Sequence, residues 1–311
     1  MIVVVLALTS PAWAWNAAGH MVTGAIAYST LKASNPDALD KIVAILKQHP
    51  EFDQRWARPL SEVTDDEQGL NLFMLAARWP DDIRREREFT HPKWHYINLP
   101  FKPAGQPDSV QPPELDPENI RVGFRQNVGV LQSDASDAEK AVALCWVLHL
   151  VGDAHQPLHT ATLYTTEFPE GDRGGTHFFI RAREGSRPIG LHTIWDDFML
   201  GSSKFRRVHN KAIELRAEYP RDQLQELEPA PTAVNFEAWL QESFETARMV
   251  AYDNGQLAGS PDKADAPVLP DGYLAEGKRV ACRRGALAGN RMAGVLASVF
   301  RDAGASGQQR P

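Results

Sequence analysis

Residues 149 to 159 read HLVGDAHQPLH and set His149, Asp153, His155 and His159 into an otherwise apolar stretch. Imidazoles and carboxylates move protons, and they are also the ligand types that zinc accepts. His149 and Asp153 stand four residues apart, so on a helix they share one face. The segment around them, AVALCWVLHLVGD, is apolar nearly all round, which predicts a buried helix. A carboxylate buried without a partner costs several kcal/mol, so Asp153 needs a cation or a donor. A histidine–aspartate hydrogen bond inside a helical core meets that need as well as a metal does, and the pair alone leaves both readings open.

Further residues of the same kind tip the balance toward a metal centre. His159 follows beyond Pro157, which breaks the helix and turns a third donor back toward its end. LHTIWDDF repeats the four-residue spacing with His192 and Asp196, while RWPDDIR and HPKWHYINLP supply Asp81 and His95. The first fourteen residues, MIVVVLALTSPAWA, are apolar and uncharged and end in Ala12-Trp13-Ala14, the pattern of an export leader cleaved before Trp15. The new α-amine, with an ordinary pKa of about 8, would then be able to bind a metal together with the carbonyl of Trp15. His20 lies five residues on, near the start of the first helix. The plainer reading of WNAAGH is a helix start with Trp15 as an apolar staple.

Positioning these groups falls to helices. Three-to-four-residue periodicity predicts helices over 17–33, 37–48, 69–78, 137–153, 203–218, 235–252 and 284–301. Met21, Ala25 and Tyr28 form the inner face of the first, Leu39, Ile42, Val43 and Leu46 that of the second, and Leu287, Met292, Leu296 and Val299 that of the last. Pro/Gly/Asp clusters mark loops at 100–118, 166–175 and 259–272, and THFFIRAREGSRPIGLH predicts one short β-hairpin turning near Gly185. The expectation is a single, mainly α domain over 15–302 with a disordered tail over 303–311. No run after the leader approaches a membrane span. Cys145 and Cys282 are the two cysteines, and an exported chain leaves a disulfide between them open. The formal net charge of -7 excludes a protein that holds nucleic acid by a broad basic surface, so any phosphate chemistry requires concentrated positive charge such as metal ions or a single arginine.

In order along the chain, WNAAGH, WPDDIR, HYIN, HLVGDAHQPLH, GDRGG and LHTIWD resemble the motifs of the zinc-dependent single-strand nucleases and 3'-nucleotidases of the nuclease S-one/P-one family. The resemblance runs from Trp15 to about residue 200 and more loosely through the helical remainder. It implies the helical fold shared with zinc-dependent phospholipases C and a cluster of three Zn2+ ions. Asp81, His95, His149 and Asp153 would hold one zinc, and His159, His192 and Asp196 a second. Trp15, His20 and the other oxygen of Asp153 would hold the third. The resemblance further implies that Arg84 clamps phosphoryl oxygens, Pro80 replacing the family's alanine harmlessly, and that Tyr96 stacks on a base. Asn98 stands where the family has a base-binding aspartate, which exchanges an acceptor-only group for a mixed donor and acceptor.

Single-stranded nucleic acid and 3'-nucleotides are the implied substrates, outside the cytoplasm, with no membrane attachment and no obligate protein partner. His49, His91 and His209 read as surface or turn residues, and His155 and His177 as candidates for supporting roles beside ligands. A zinc-dependent phospholipase C is the nearest alternative. That group resembles this sequence in its N-terminal tryptophan but ends its last motif in glutamate, where this chain has Asp196, and spaces its tryptophan and first histidine more widely. A non-catalytic zinc-binding protein is the second alternative.

Overall fold

The computed structural model describes residues 15–228 and 230–305, so the leader over 1–14 lies outside the described residues. The described chain forms ten α-helices: α1 (Ala17–Ser34), α2 (Pro36–Leu46), α3 (Ala57–Ser61), α4 (Asp65–Asp82), α5 (Ile120–Gln132), α6 (Asp137–Asp153), α7 (Leu191–Asp197), α8 (Phe205–Glu218), α9 (Phe236–Thr246) and α10 (Tyr273–Ala305). It is a mainly α protein. Helix α10 continues to Ala305, so residues 303–305 extend a helix rather than begin a tail. The rest of the expected tail, 306–311, lies outside the described residues.

Helix α6 is central because its sequence gives it no polar side. From Ala143 to Asp153 every residue is buried, and the helix packs on α2, α4, α5 and α10. A reciprocal capping box starts it: Ser136 accepts from the Glu139 N–H, and Glu139 accepts from the Ser136 N–H. Helix α1 is likewise buried from Ala18 to Ala27 and lies against α4, α8 and α10. The main core gathers Ile42, Phe73, Trp79, Trp146 and Leu296 among others, and a second cluster around Trp195, Phe178 and Tyr252 covers the loops beside α7.

Helix α5 escapes the periodicity because glycine and asparagine interrupt its buried face, Ile120, Gly123, Phe124, Asn127, Val128 and Leu131. Gly123 is required there, since a Cβ would come within 2.6 Å of the Trp94 ring.

The expected hairpin forms between β3 (Phe179–Ile180) and β4 (Ile189–Gly190), with Gly185 at a φ of 72°. A second sheet departs from the expectation of one hairpin. The three-residue strands β1 (Leu99–Phe101) and β2 (Ala161–Leu163) pair in parallel, Leu99 opposite Ala161. Parallel partners are remote in sequence, so no local turn signal announces them. The disulfide left open by the sequence is not formed: Cys145 is buried in the main core beside α4, Cys282 in a separate cluster with Trp15 and Met199, and both are free thiols.

Candidate metal centre

Three groups of donors lie side by side in the interior: His20, His149 and Asp153; Asp81, His95 and His149; and His159, His192 and Asp196. All eight side chains are buried. They come from α1, α4, α6, α7 and two short 3-10 turns, Pro92–His95 and Pro157–His159.

The backbone explains how separated segments meet. Pro157 ends α6, and the turn after it is locked onto the His95 segment, where Ile97 N donates to His159 O (2.8 Å) and Leu99 N to Thr160 O (3.2 Å). The parallel β1–β2 pair thus clamps together the two stretches that carry His95 and His159. Between α1 and α6, His20 stacks on His149 with ring centroids 3.7 Å apart. Only glycine at 152 allows that approach, because a Cβ there would sit 2.8 Å from His20 Nδ1. Trp15 is fully buried, and its indole N–H donates to Gly152 O (3.0 Å), which anchors residue 15 one position from Asp153.

Hydrogen bonds also decide which nitrogen each ring turns inward. A carbonyl can only accept, so Ala77 O (2.9 Å), His95 O (2.5 Å) and Gly174 O (2.5 Å) fix the protons on Nδ1 of His149, His159 and His192. Their Nε2 atoms therefore face into the centre. His159 Nε2 and His192 Nε2 lie 3.1 Å apart, and His149 Nε2 lies 2.9 Å from His95 Nδ1. Two ring nitrogens this close need a shared proton or a cation between them. Asp153 reaches His20 Nε2 with Oδ1 (3.3 Å) and His149 Nε2 and His95 Nδ1 with Oδ2 (3.2 Å each), so its two oxygens serve different groups. Both nitrogens of His20 and Oδ1 of Asp153 are buried without a hydrogen bond. Buried polar atoms are normally satisfied, and such a set fits a centre built to hold cations.

Electrostatics follow from that crowding. Burial opposes charge on Asp153, but His149 and His159 outweigh it and hold the carboxyl well below the ordinary range. Asp81 is also lowered, with burial offset by His149 and Arg84. Burial depresses His20 to about 4 and His95 to about 3, which favours the neutral, ligating imidazole. Burial instead drives Asp196 well upward, only partly opposed by the Gln156 amide that donates to its Oδ1 (2.7 Å).

Arg84 places Nη2 2.7 Å from Asp81 Oδ1 and 3.2 Å from His95 Nδ1, at the edge of the centre. Tyr96 is half-buried beside His95, and Asn98 is exposed, its Oδ1 accepting from the buried Thr162 hydroxyl (2.9 Å). Pro80 lies in the last turn of α4, where its missing N–H withholds a donor from Ala76 O without interrupting the helix before Asp81.

Other histidines stay apart. His49 lies in the turn after α2, one of the two places expected for it, but is buried there between Trp56 and Trp79 rather than at the surface. His91 stacks on Trp94, and His209 packs on Phe205. His155 donates from Nδ1 to Val151 O and accepts from Arg291, tying the turn after Asp153 to α10. His177 is half-buried near Arg173. Sequence reasoning missed Gln156, although it sits inside HQPLH. It also missed the carbonyls of Ala77, His95 and Gly174, which no residue type reveals.

A mainly helical scaffold closing on three histidine–aspartate groups, with an arginine at their edge, defines a class of helical proteins whose buried donors could hold metal ions. The chain belongs to the S1/P1 nuclease family, whose profile matches residues 15–301, and is a nuclease. It is 26% identical to Endonuclease 3 of Arabidopsis thaliana over 96% of this chain and 93% of that protein. It is also similar to Endonuclease 4 of the same plant, 25% identical over 45% of this chain and 47% of that protein. No helix among the described residues is long and apolar enough to cross a membrane.

Proposed function

We propose that the mature chain, exported and cut before Trp15, is a zinc-dependent nuclease that hydrolyses single-stranded DNA and RNA to 5'-phosphate products and also acts on 3'-nucleotides. The observation that carries this reading is the convergence of inward-facing imidazole nitrogens and carboxylates on one buried centre in a chain of this family. Asp81, His95, His149 and Asp153 would hold one Zn2+, His159, His192 and Asp196 a second, and Trp15, His20 and Asp153 a third. Bound there, zinc would lower the pKa of water toward neutrality and offset the charge of a phosphodiester.

The protein's own groups then do the rest. Carbonyls behind His149, His159 and His192 hold the rings in their ligating tautomer, so no reorganisation is needed when phosphate arrives. Arg84, held 2.7 Å from Asp81 at the edge of the centre, would clamp the phosphoryl oxygens with its planar donors. Tyr96 offers a ring on which an unpaired base stacks, which favours single strands. Asn98, with Oδ1 committed to Thr162, presents its amide N–H groups to that base.

Asp196 as the last donor, in place of glutamate, and the short gap from Trp15 to His20 support a nuclease over a phospholipase C. The test gives purified mature protein a single-stranded oligonucleotide and a short-chain phosphatidylcholine together and weighs the products by mass spectrometry. Fragments bearing 5'-phosphates beside intact lipid are expected, with loss of cleavage on chelation and recovery on adding Zn2+. Diacylglycerol beside an intact oligonucleotide overturns the reading.

A further inference from the structure

The motif GDRGG supplies none of the ligands or substrate contacts above, yet it contains Asp172, a fully buried carboxylate outside the centre. Asp172 accepts three hydrogen bonds. Leu163 N donates to Oδ1 (2.9 Å), while Gly175 N (3.0 Å) and the Tyr252 hydroxyl (2.7 Å) donate to Oδ2. Its backbone is tied as well, with Asp172 N donating to Leu163 O and His177 N to Asp172 O. The carboxylate therefore joins strand β2, the following loop and the segment after α9 at one point.

The loop it secures is unusual in conformation. Gly171, Arg173, Gly174 and Gly175 all have positive φ, at 80°, 54°, 61° and 82°. For a non-glycine residue such as Arg173 that region is costly and persists only when its surroundings impose it. Glycine is needed at 174, where a Cβ would lie 2.4 Å from Leu158 O. The strained turn aims two carbonyls at one residue: Gly174 O accepts from His192 Nδ1 (2.5 Å), and Gly175 O accepts from His192 N (3.2 Å).

We infer that Asp172, with Tyr252, is a positioning residue for His192: it holds the loop so that Gly174 O accepts from His192 Nδ1–H and turns Nε2 toward His159 and Asp196. The inference rests on the metal-centre reading in what it says of zinc, but not in what it says of the ring. Asp172→Asn keeps the acceptor for Leu163 N and places an amide N–H2 against two donors. Tyr252→Phe removes one donor and leaves the buried ring, so it serves where the first variant fails to fold.

Side-chain 15N spectra of the metal-free protein report the tautomer. The wild type should show His192 as the Nδ1–H form, and both variants should show exchange between tautomers, Asp172→Asn more fully. Zinc titration followed by elemental analysis should show the affinity of one class of site falling 10-fold or more in Asp172→Asn, with the other sites unchanged. An unaltered tautomer and unaltered zinc affinity in folded Tyr252→Phe and Asp172→Asn overturn the inference. A wild type that takes up no zinc but shows the tautomer change overturns the zinc reading and leaves the positioning role standing.

Discussion

At the scale of single residues, Asp81 and Arg84 separate a catalytic centre from a merely structural one. Asp81 belongs to one donor group and Arg84 lies at its edge, 2.7 Å away. On the proposed function Arg84→Ala removes donors to the transferred phosphoryl group, and loss of one such preorganised donor typically costs about 100- to 1,000-fold in kcat. Steady-state kinetics on an oligonucleotide should therefore show kcat falling in that range, with the zinc content of the purified variant unchanged. Asp81→Asn should lose turnover while circular dichroism and thermal unfolding report a folded protein. Unfolding in step with zinc loss would return the site to a structural role.

The crossing of α1 over α6 is the element-scale feature on which the centre depends. His20 rides on α1 and His149 and Asp153 on α6, and Gly152 lets the two helices approach closely enough for the rings to stack at 3.7 Å. Gly152→Ala forces a methyl group to within 2.8 Å of His20 Nδ1, so one helix must shift. Overpacking of this kind costs about 1–3 kcal/mol. Thermal unfolding should register that loss, and zinc titration should register weakened binding in the group built on His20. A variant with wild-type stability and full zinc content would mean that His20 moves freely and that the stacking is incidental. The β1–β2 pair is a second device of this kind, since its hydrogen bonds align His95 with His159 without contributing a ligand.

For the whole molecule, burial of neutral histidines outside the centre sets an acid limit. His49 is held at about 4, from an ordinary 6.5, chiefly by burial between Trp56 and Trp79. Its Nδ1 accepts from Glu51 N (3.1 Å), so the folded state requires the neutral ring. The unfolded chain takes up this proton first as pH falls below about 6.5, whereas the folded chain takes it up only near pH 4. Stability from His49 is thus complete above the upper value and is lost as pH falls through the window. Each pH unit inside it removes about 1.4 kcal/mol for one proton. His49→Asn keeps an acceptor for Glu51 N and removes the titration. Denaturant unfolding of metal-free protein between pH 6.5 and about 4 should show a slope lower by one proton in the variant. Equal slopes would place the acid sensitivity elsewhere.

Much of the centre was legible in residue types and spacing, because His–Asp pairs four apart on apolar helices have few uses. The long helices were legible for a related reason: α1, α6 and α10 bury continuous or periodic apolar faces, and periodicity is a local property. Helix α5 and the parallel strands were not, since Gly123 and Asn127 break an apolar pattern and strand pairing across sixty residues leaves no local trace. The sequence by itself determined which side chains could serve as donors and that helices over 17–33 and 137–153 carry His20, His149 and Asp153. Only the tertiary structure decided how their nitrogens face, because Ala77, His95 and Gly174 act through carbonyls, and every residue has one. It also left Cys145 and Cys282 apart and buried His49, since separation and burial are properties of packing that spacing along a chain does not encode.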